Sequence, residues 1–185
     1  MFKARVGASL LACVLVVTAS LGARPALAAS AAEINRDASA ALADLQTKNP
    51  EARALIAQAK GVLIFPSIVK AGFLFGAQYG EGALRRQGKT VGYYSSVAAS
   101  YGLQAGVQTF GYVLLFMTDS ALQYLDKSEG FELGVGPSIV VVDAGMAKTL
   151  TTSTAQSDIY AFIFDQRGLM AGLGLQGSKI SRISK

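Results

Sequence analysis

The spacing of apolar residues divides the chain into a helical part and a part with the periodicity of strands. One side of a predicted helix carries apolar residues that recur every three or four positions: Ile34, Ala38, Ala41, Leu42 and Leu45. Asn49-Pro50 interrupts this stripe, and a shorter one follows: Ala52, Leu55, Ile56 and Ala59. The pattern predicts a pair of helices within residues 29–60.

From Gly61 onward the apolar residues alternate with polar or small ones, which is typical of strands. Strands are predicted around 73–80, 91–95, 101–108, 113–117, 131–135, 139–142, 159–164 and 169–175, with a turn at 85–89 and a short helix beginning at Thr118-Asp119. Glycines in strands let a sheet coil sharply, and 18 of the 20 glycines lie here. We predict an α+β fold: an N-terminal helical pair packed on a Gly-rich, strongly coiled antiparallel sheet, or a barrel-like core, of about seven strands.

The first 28 residues have the pattern of an export signal. Lys3 and Arg5 precede an apolar run over 6–21, and Ala26-Leu27-Ala28 supplies a small-x-small cleavage site. The run is shorter than the roughly 20 residues of a spanning helix. We predict a signal peptide cleaved after Ala28 and an exported protein in the periplasm or at the periplasmic face of the outer membrane. A lipoprotein anchored at Cys13 is less favoured, because cleavage there leaves the apolar residues 14–21 on the mature protein.

Composition excludes most familiar enzyme chemistry. The chain has no histidine, and its one cysteine lies in the predicted signal, which excludes His-dependent nucleophiles, His-bearing zinc sites and disulfides. We therefore expect no enzyme activity, no catalytic residue, no metal site and no cofactor. Loss of three cations with the signal lowers the net charge from +5 to +2, so a nucleic-acid partner is not expected.

Basic residues are nevertheless concentrated locally. One stretch contains five of them, Lys60, Lys70, Arg85, Arg86 and Lys89, and Lys179, Arg182 and Lys185 follow at the end of the sequence. If folding brings these groups together, they form a patch that faces phosphate. Separate solvated turns are the alternative.

Several motifs in order resemble the SYLF domain, also called the Ysc84-like domain. They are AKGVLIFP at 59–66, KAGF at 70–73, GAQYGEG at 76–82, YGLQAGVQ at 101–108, LFMTD at 115–119, FELG at 131–134 and GLMAG at 168–172. Residues 140–146, VVVDAGM, depart from the Gly-Pro-rich stretch of the family. On this resemblance residues 29–185 are one domain, with a helical zone at 29–60 and a β-rich zone at 61–185.

The resemblance implies a module that binds anionic phospholipids, which are phosphoinositides for the eukaryotic members. Some of those also bind actin filaments, but we do not expect actin as a partner of an exported protein. We predict non-enzymatic binding of anionic phospholipid or a membrane surface in the bacterial cell envelope. The predicted lipid-binding residues are Lys70, Arg85, Arg86 and Lys89 for the phosphate, and Phe73 and Phe75 for the acyl boundary. The alternative is a structural or assembly protein that acts through envelope protein partners.

Overall fold

Three helices and one curled sheet of eight strands make up the part of the chain that the computed structural model describes, residues 28–72, 75–101, 106–127, 130–133, 135–142, 157–168 and 177–185. The helices are α1 (Ala31–Lys48), α2 (Pro50–Ile56) and α3 (Asp119–Lys127). The strands are β1 (Gly61–Gly72), β2 (Phe75–Arg86), β3 (Lys89–Tyr101), β4 (Gly106–Phe116), β5 (Phe131–Glu132), β6 (Ile139–Val142), β7 (Ile159–Gly168) and β8 (Lys179–Ile183).

The sheet is a strongly curled half-barrel with the strand order β5-β8-β3-β2-β1-β4-β7-β6. All its pairs are antiparallel except β6 with β7, which makes the sheet mixed. The register of β1 shifts between Ile64 and Ser67 against β2, and an irregularity at this position also affects its pairing with β4. A bulge bends its strand and increases the local twist. The α+β fold and the coiled sheet under an N-terminal helical pair are confirmed.

Each face of the sheet carries its own hydrophobic core. On one face α1 and α2 place Ile34, Leu45 and Leu55 against Ile64 and Leu115. The other, concave face encloses a second core, to which α3 contributes and whose largest members include Phe65, Tyr94, Tyr112, Phe116 and Phe131. Because both faces are covered at the start of β1, its first five residues are all buried.

The helix boundaries follow from local capping. Ser30 and Glu33 form a reciprocal capping box at the start of α1. The Asn49 side chain accepts a hydrogen bond from the backbone N–H of Ala52 at 2.8 Å, and Pro50 occupies the first turn of α2. Both helices lie where the apolar stripes predicted them, and α3 begins at Asp119 as expected.

The strand predictions were right where residues alternate and wrong where other constraints act. The expected strand over 101–108 is divided, since its first residue ends β3 and its last three begin β4. β1 was not assigned because burial on both faces removes the alternation, and β8 was missed because Lys179 and Arg182 interrupt its apolar pattern. Phe73, the strand at 169–175 and residues 1–27 of the predicted signal lie outside the described residues.

Asp158, just before β7, connects the start of that strand by hydrogen bonds to Ser138 and Thr118. Its carboxylate accepts hydrogen bonds from the Ser138 N–H at 3.1 Å, the Ser138 hydroxyl at 2.9 Å and the Thr118 hydroxyl at 3.0 Å. The bonds from Ser138 and then Thr118 hold the pKa of Asp158 below its usual value.

We expect Asp158→Asn to lower the Tm by about 2–4 °C at pH 7, the effect of losing about 1 kcal/mol of hydrogen bonding. A depressed carboxyl pKa contributes stability above its unfolded value, and that contribution disappears as pH falls through the folded value. The deficit of the variant should therefore shrink below about pH 4. Thermal unfolding from pH 3 to 7 measures it, and a deficit that does not depend on pH would contradict this role.

Candidate functional site: a basic pocket beside the helical pair

Four basic side chains gather around one pocket of about 930 Å³ at the β2–β3 hairpin. They are Lys60, Arg85, Arg86 and Lys89, and the one acidic residue of the lining is Asp119. Apolar residues from α1, α2 and the sheet line the same pocket: Leu42, Ile56, Val62 and Val91. We call this site the basic pocket. It combines an excess of positive charge with an apolar wall.

The hairpin brings Arg86 and Lys89 together because they pair across its two-residue turn. Gln87 and Gly88, the turn residues, have φ values of 50° and 78°, so both lie in the left-handed region of tight hairpins. Arg86 and Lys89 are exposed, and their charges are available at the pocket rim.

Arg85 is half-buried and connects the pocket to α1. Its guanidinium Nη2 donates to the Asn35 carbonyl at 3.1 Å and to the Ser39 hydroxyl at 2.6 Å. Its Nε is buried, and no hydrogen-bond acceptor meets it among the described residues. A buried donor without an acceptor costs about 1–3 kcal/mol.

Lys60 belongs to the pocket although it was not among the predicted site residues. Its backbone N–H donates to the Phe116 carbonyl at 2.8 Å, just before β1 begins. Val62 pairs with Arg85, and this register carries Lys60 to the hairpin. In the sequence, only its membership of the basic stretch indicated a role for Lys60. Its position beside the hairpin depends on strand pairing.

Lys70 is far from the basic pocket and only 6% exposed. It pairs with Gln78 on β2 and with Gln108 on β4, and all three side chains are buried. Seven residues separate Gln78 from Arg85 along β2, which is roughly 23 Å of extended strand. The structure therefore does not bring Lys70 together with Arg85, Arg86 and Lys89, and its role in binding stays a prediction.

Phe75 lies at the opposite end of β2 from Arg85 and is 73% exposed. An exposed apolar surface extends from Phe75 across β1, β2, β3 and β4, because the strand register places its residues side by side. This apolar face consists of Val69, Ala71, Phe75, Ala77, Tyr79, Val97, Ala99 and Val107, all of which are exposed. The six predicted residues thus do not form one site: three surround the basic pocket, Phe75 belongs to the apolar face, Lys70 is buried, and Phe73 lies outside the described residues.

Comparison with known families bears on the second half of the chain. Residues 97–185 match the Ysc84 family model. Its description reads "Las17-binding protein actin regulator". The Ysc84 match covers just under half of the sequence and confirms the resemblance there, while the motifs quoted between 59 and 82 lie outside the matched range. No curated protein matches the chain.

Two further features concern the described residues only. Among their helices, none has both the length and the apolar character to cross a membrane. Within the same residues, Asp and Glu side chains do not gather in groups of three that would hold a metal ion.

Proposed function

We propose that the protein binds anionic phospholipids without catalysing a reaction, and that the basic pocket receives the headgroup. The observation that carries the proposal is the convergence of four cationic side chains on one apolar-walled pocket of about 930 Å³. Ligand pockets of this size suit a molecule with one charged and one apolar part. The Ysc84 match over residues 97–185 supports a binding function in general terms.

The basic and apolar residues of the pocket would contact different parts of the lipid. Arg86 and Lys89 are exposed at the hairpin and meet phosphate oxygens as they approach. Arg85 supplies positive charge deeper in the pocket, where its Nη2 is held by α1. Leu42 and Ile56 offer apolar contact to the glycerol and the first acyl carbons.

Vesicle sedimentation tests this function. Residues 29–185 retain every residue of both cores, and circular dichroism verifies their fold before the assay. Vesicles of neutral lipid, phosphatidylglycerol, cardiolipin and phosphoinositide are compared at low and moderate salt. We expect binding to the anionic vesicles that weakens with salt, because exposed charges are screened. Equal binding to neutral and anionic vesicles would overturn the headgroup assignment.

We further propose that the protein acts outside the cytoplasm, in the periplasm or at the periplasmic face of the outer membrane. The support is the pattern of residues 1–28, with two cations, an apolar run and a small-x-small site. N-terminal sequencing of the protein recovered from the cell envelope tests it, and Ala29 as the first residue is the expected result.

The apolar face favours a second candidate function, contact with an envelope protein. A continuous exposed apolar surface is typical of interaction sites. Its largest exposed side chains are Phe75 and Tyr79, and aromatic residues are enriched at interfaces. Co-purification of an envelope protein that is lost in Phe75→Ser, with vesicle binding unchanged, would support this function.

A further inference from the structure

The beginning of the described chain is held by a polar cluster beside the apolar face. Lys185 Nζ lies 2.8 Å from Glu81 Oε2 and donates to the Ala29 carbonyl at 2.8 Å. Tyr79 donates its hydroxyl to Glu81 Oε1 at 2.7 Å. The side chains of Glu81 and Lys185 are each only 9% exposed. Glu81 is therefore a partly desolvated carboxylate beside Ala29.

Ala29 and Glu81 line the same surface pocket, and Lys185 Nζ bonds both the Ala29 carbonyl and Glu81 Oε2, so the Ala29 backbone lies close to the carboxylate. In the unprocessed chain the Ala29 nitrogen belongs to a neutral peptide bond. Cleavage after Ala28 converts the same nitrogen into an ammonium group, and a hydrogen bond between ionised groups is roughly twice as strong as a neutral one.

We propose that Glu81 is an internal receptor for the new N-terminus, so that signal removal adds an ion pair that the precursor lacks. The inference rests on the proposed cleavage after Ala28 and is independent of lipid binding. Processing would then strengthen the attachment of α1 to β2 in the mature protein only.

The charges around Ala29 determine the sign of the effect. Glu81 on β2, Glu33 in the first turn of α1 and Asp37, which lines the same surface pocket as Ala29 and Glu81, favour the ammonium. Lys185 and the positive end of the α1 dipole oppose it, while Tyr79 is neutral. Burial alone would raise the pKa of Glu81, but the bonds from Lys185 and Tyr79 outweigh burial and keep that pKa below its usual value. Glu81 is therefore charged near neutral pH.

The test compares residues 29–185 carrying a free α-amine with the same polypeptide acetylated at Ala29, and both with the full chain. We expect the free amine to raise the Tm by about 2–4 °C over the acetylated form, and Glu81→Gln to remove the difference. Glu51→Gln, which changes a half-buried carboxylate on α2, is the matched control and should preserve it. Equal Tm values for the two forms of the native sequence would overturn the proposal.

If Glu81→Gln does not fold, a direct titration of the α-amine tests the same ion pair. The α-amino pKa of residues 29–185, followed by NMR, should lie above the usual range of about 7.7–8.0. A raised pKa contributes stability below the unfolded value, and this is lost as pH rises through the folded value, so the Tm difference should vanish above about pH 9. A pKa at or below the usual range would contradict the ion pair. Failure here leaves lipid binding untouched, because neither assay contains lipid.

Discussion

Replacing Arg86 and Lys89 together by glutamine should weaken binding to anionic vesicles by about 30-fold. Each basic residue near an anionic surface contributes about 1 kcal/mol, and about 2 kcal/mol corresponds to that factor. Both side chains are exposed at the hairpin turn, so their loss should leave the Tm almost unchanged. Sedimentation with phosphatidylglycerol vesicles at constant salt measures the apparent partition coefficient. Arg85 is excluded from this variant because its guanidinium also holds α1.

A matched double variant separates a local site from bulk charge. Lys127→Gln with Arg167→Gln removes the same number of charges from exposed positions outside the pocket lining. If the basic pocket holds the headgroup, the control should bind within about threefold of the native protein. Equal losses in the two variants would mean that net charge drives binding and that the pocket has no special role.

The sequence allowed part of this site to be predicted, for a local reason. Arg86 and Lys89 flank a two-residue turn, and a turn needs only neighbouring residues to form. Lys60 reaches the same pocket through the pairing of Val62 with Arg85, which depends on the register between two strands. Residue types show that a basic stretch exists, while register decides which of its members meet.

Closeness in sequence was misleading for Lys70 and Phe75. A strand rises about 3.3 Å per residue, so the ten residues from Phe75 to Arg85 cover roughly 33 Å. Alternation of side chains along β1 places Lys70 on the concave face, where its neighbours are Gln78 and Gln108. Strand length and alternation separate charged and aromatic residues that lie close together in the sequence.

The sequence predicted that the sheet is strongly curved but not where it bends. Glycine content indicated a coiled sheet, and the fold confirms it, yet the bulge between Ile64 and Ser67 is marked in the sequence only by Pro66. Because the bulge adds one residue to β1, Val69 lies on the same face as Ile64 although an odd number of positions separates them. Periodicity continued through this point assigns the later residues of β1 to the wrong face.

Gly82→Ala should be strongly destabilising at this bend, costing about 3 kcal/mol and lowering the Tm by about 6–12 °C. A Cβ at Gly82 would overlap the backbone carbonyl of Ile64 and lie 2.7 Å from Phe65 Cδ1. A backbone oxygen inside a paired strand cannot move aside without loss of the register around the bulge. Thermal and urea unfolding measure the loss.

Gly92→Ala on the adjacent strand is the control for this effect. Its Cβ would meet Tyr94 Cε2 at 3.2 Å and Arg182 Nη2 at 3.4 Å, both of which are outer atoms of side chains. The Arg182 side chain is flexible and the buried Tyr94 ring has to move by only a few tenths of an ångström, so we expect a loss of about 1 kcal/mol, well below that of Gly82→Ala. If the two variants lose equal stability, the cost comes from the general replacement of glycine in a strand. A loss confined to Gly82 would instead locate it in the close approach of β2 to the bulge of β1, the contact that bends the sheet beneath α1.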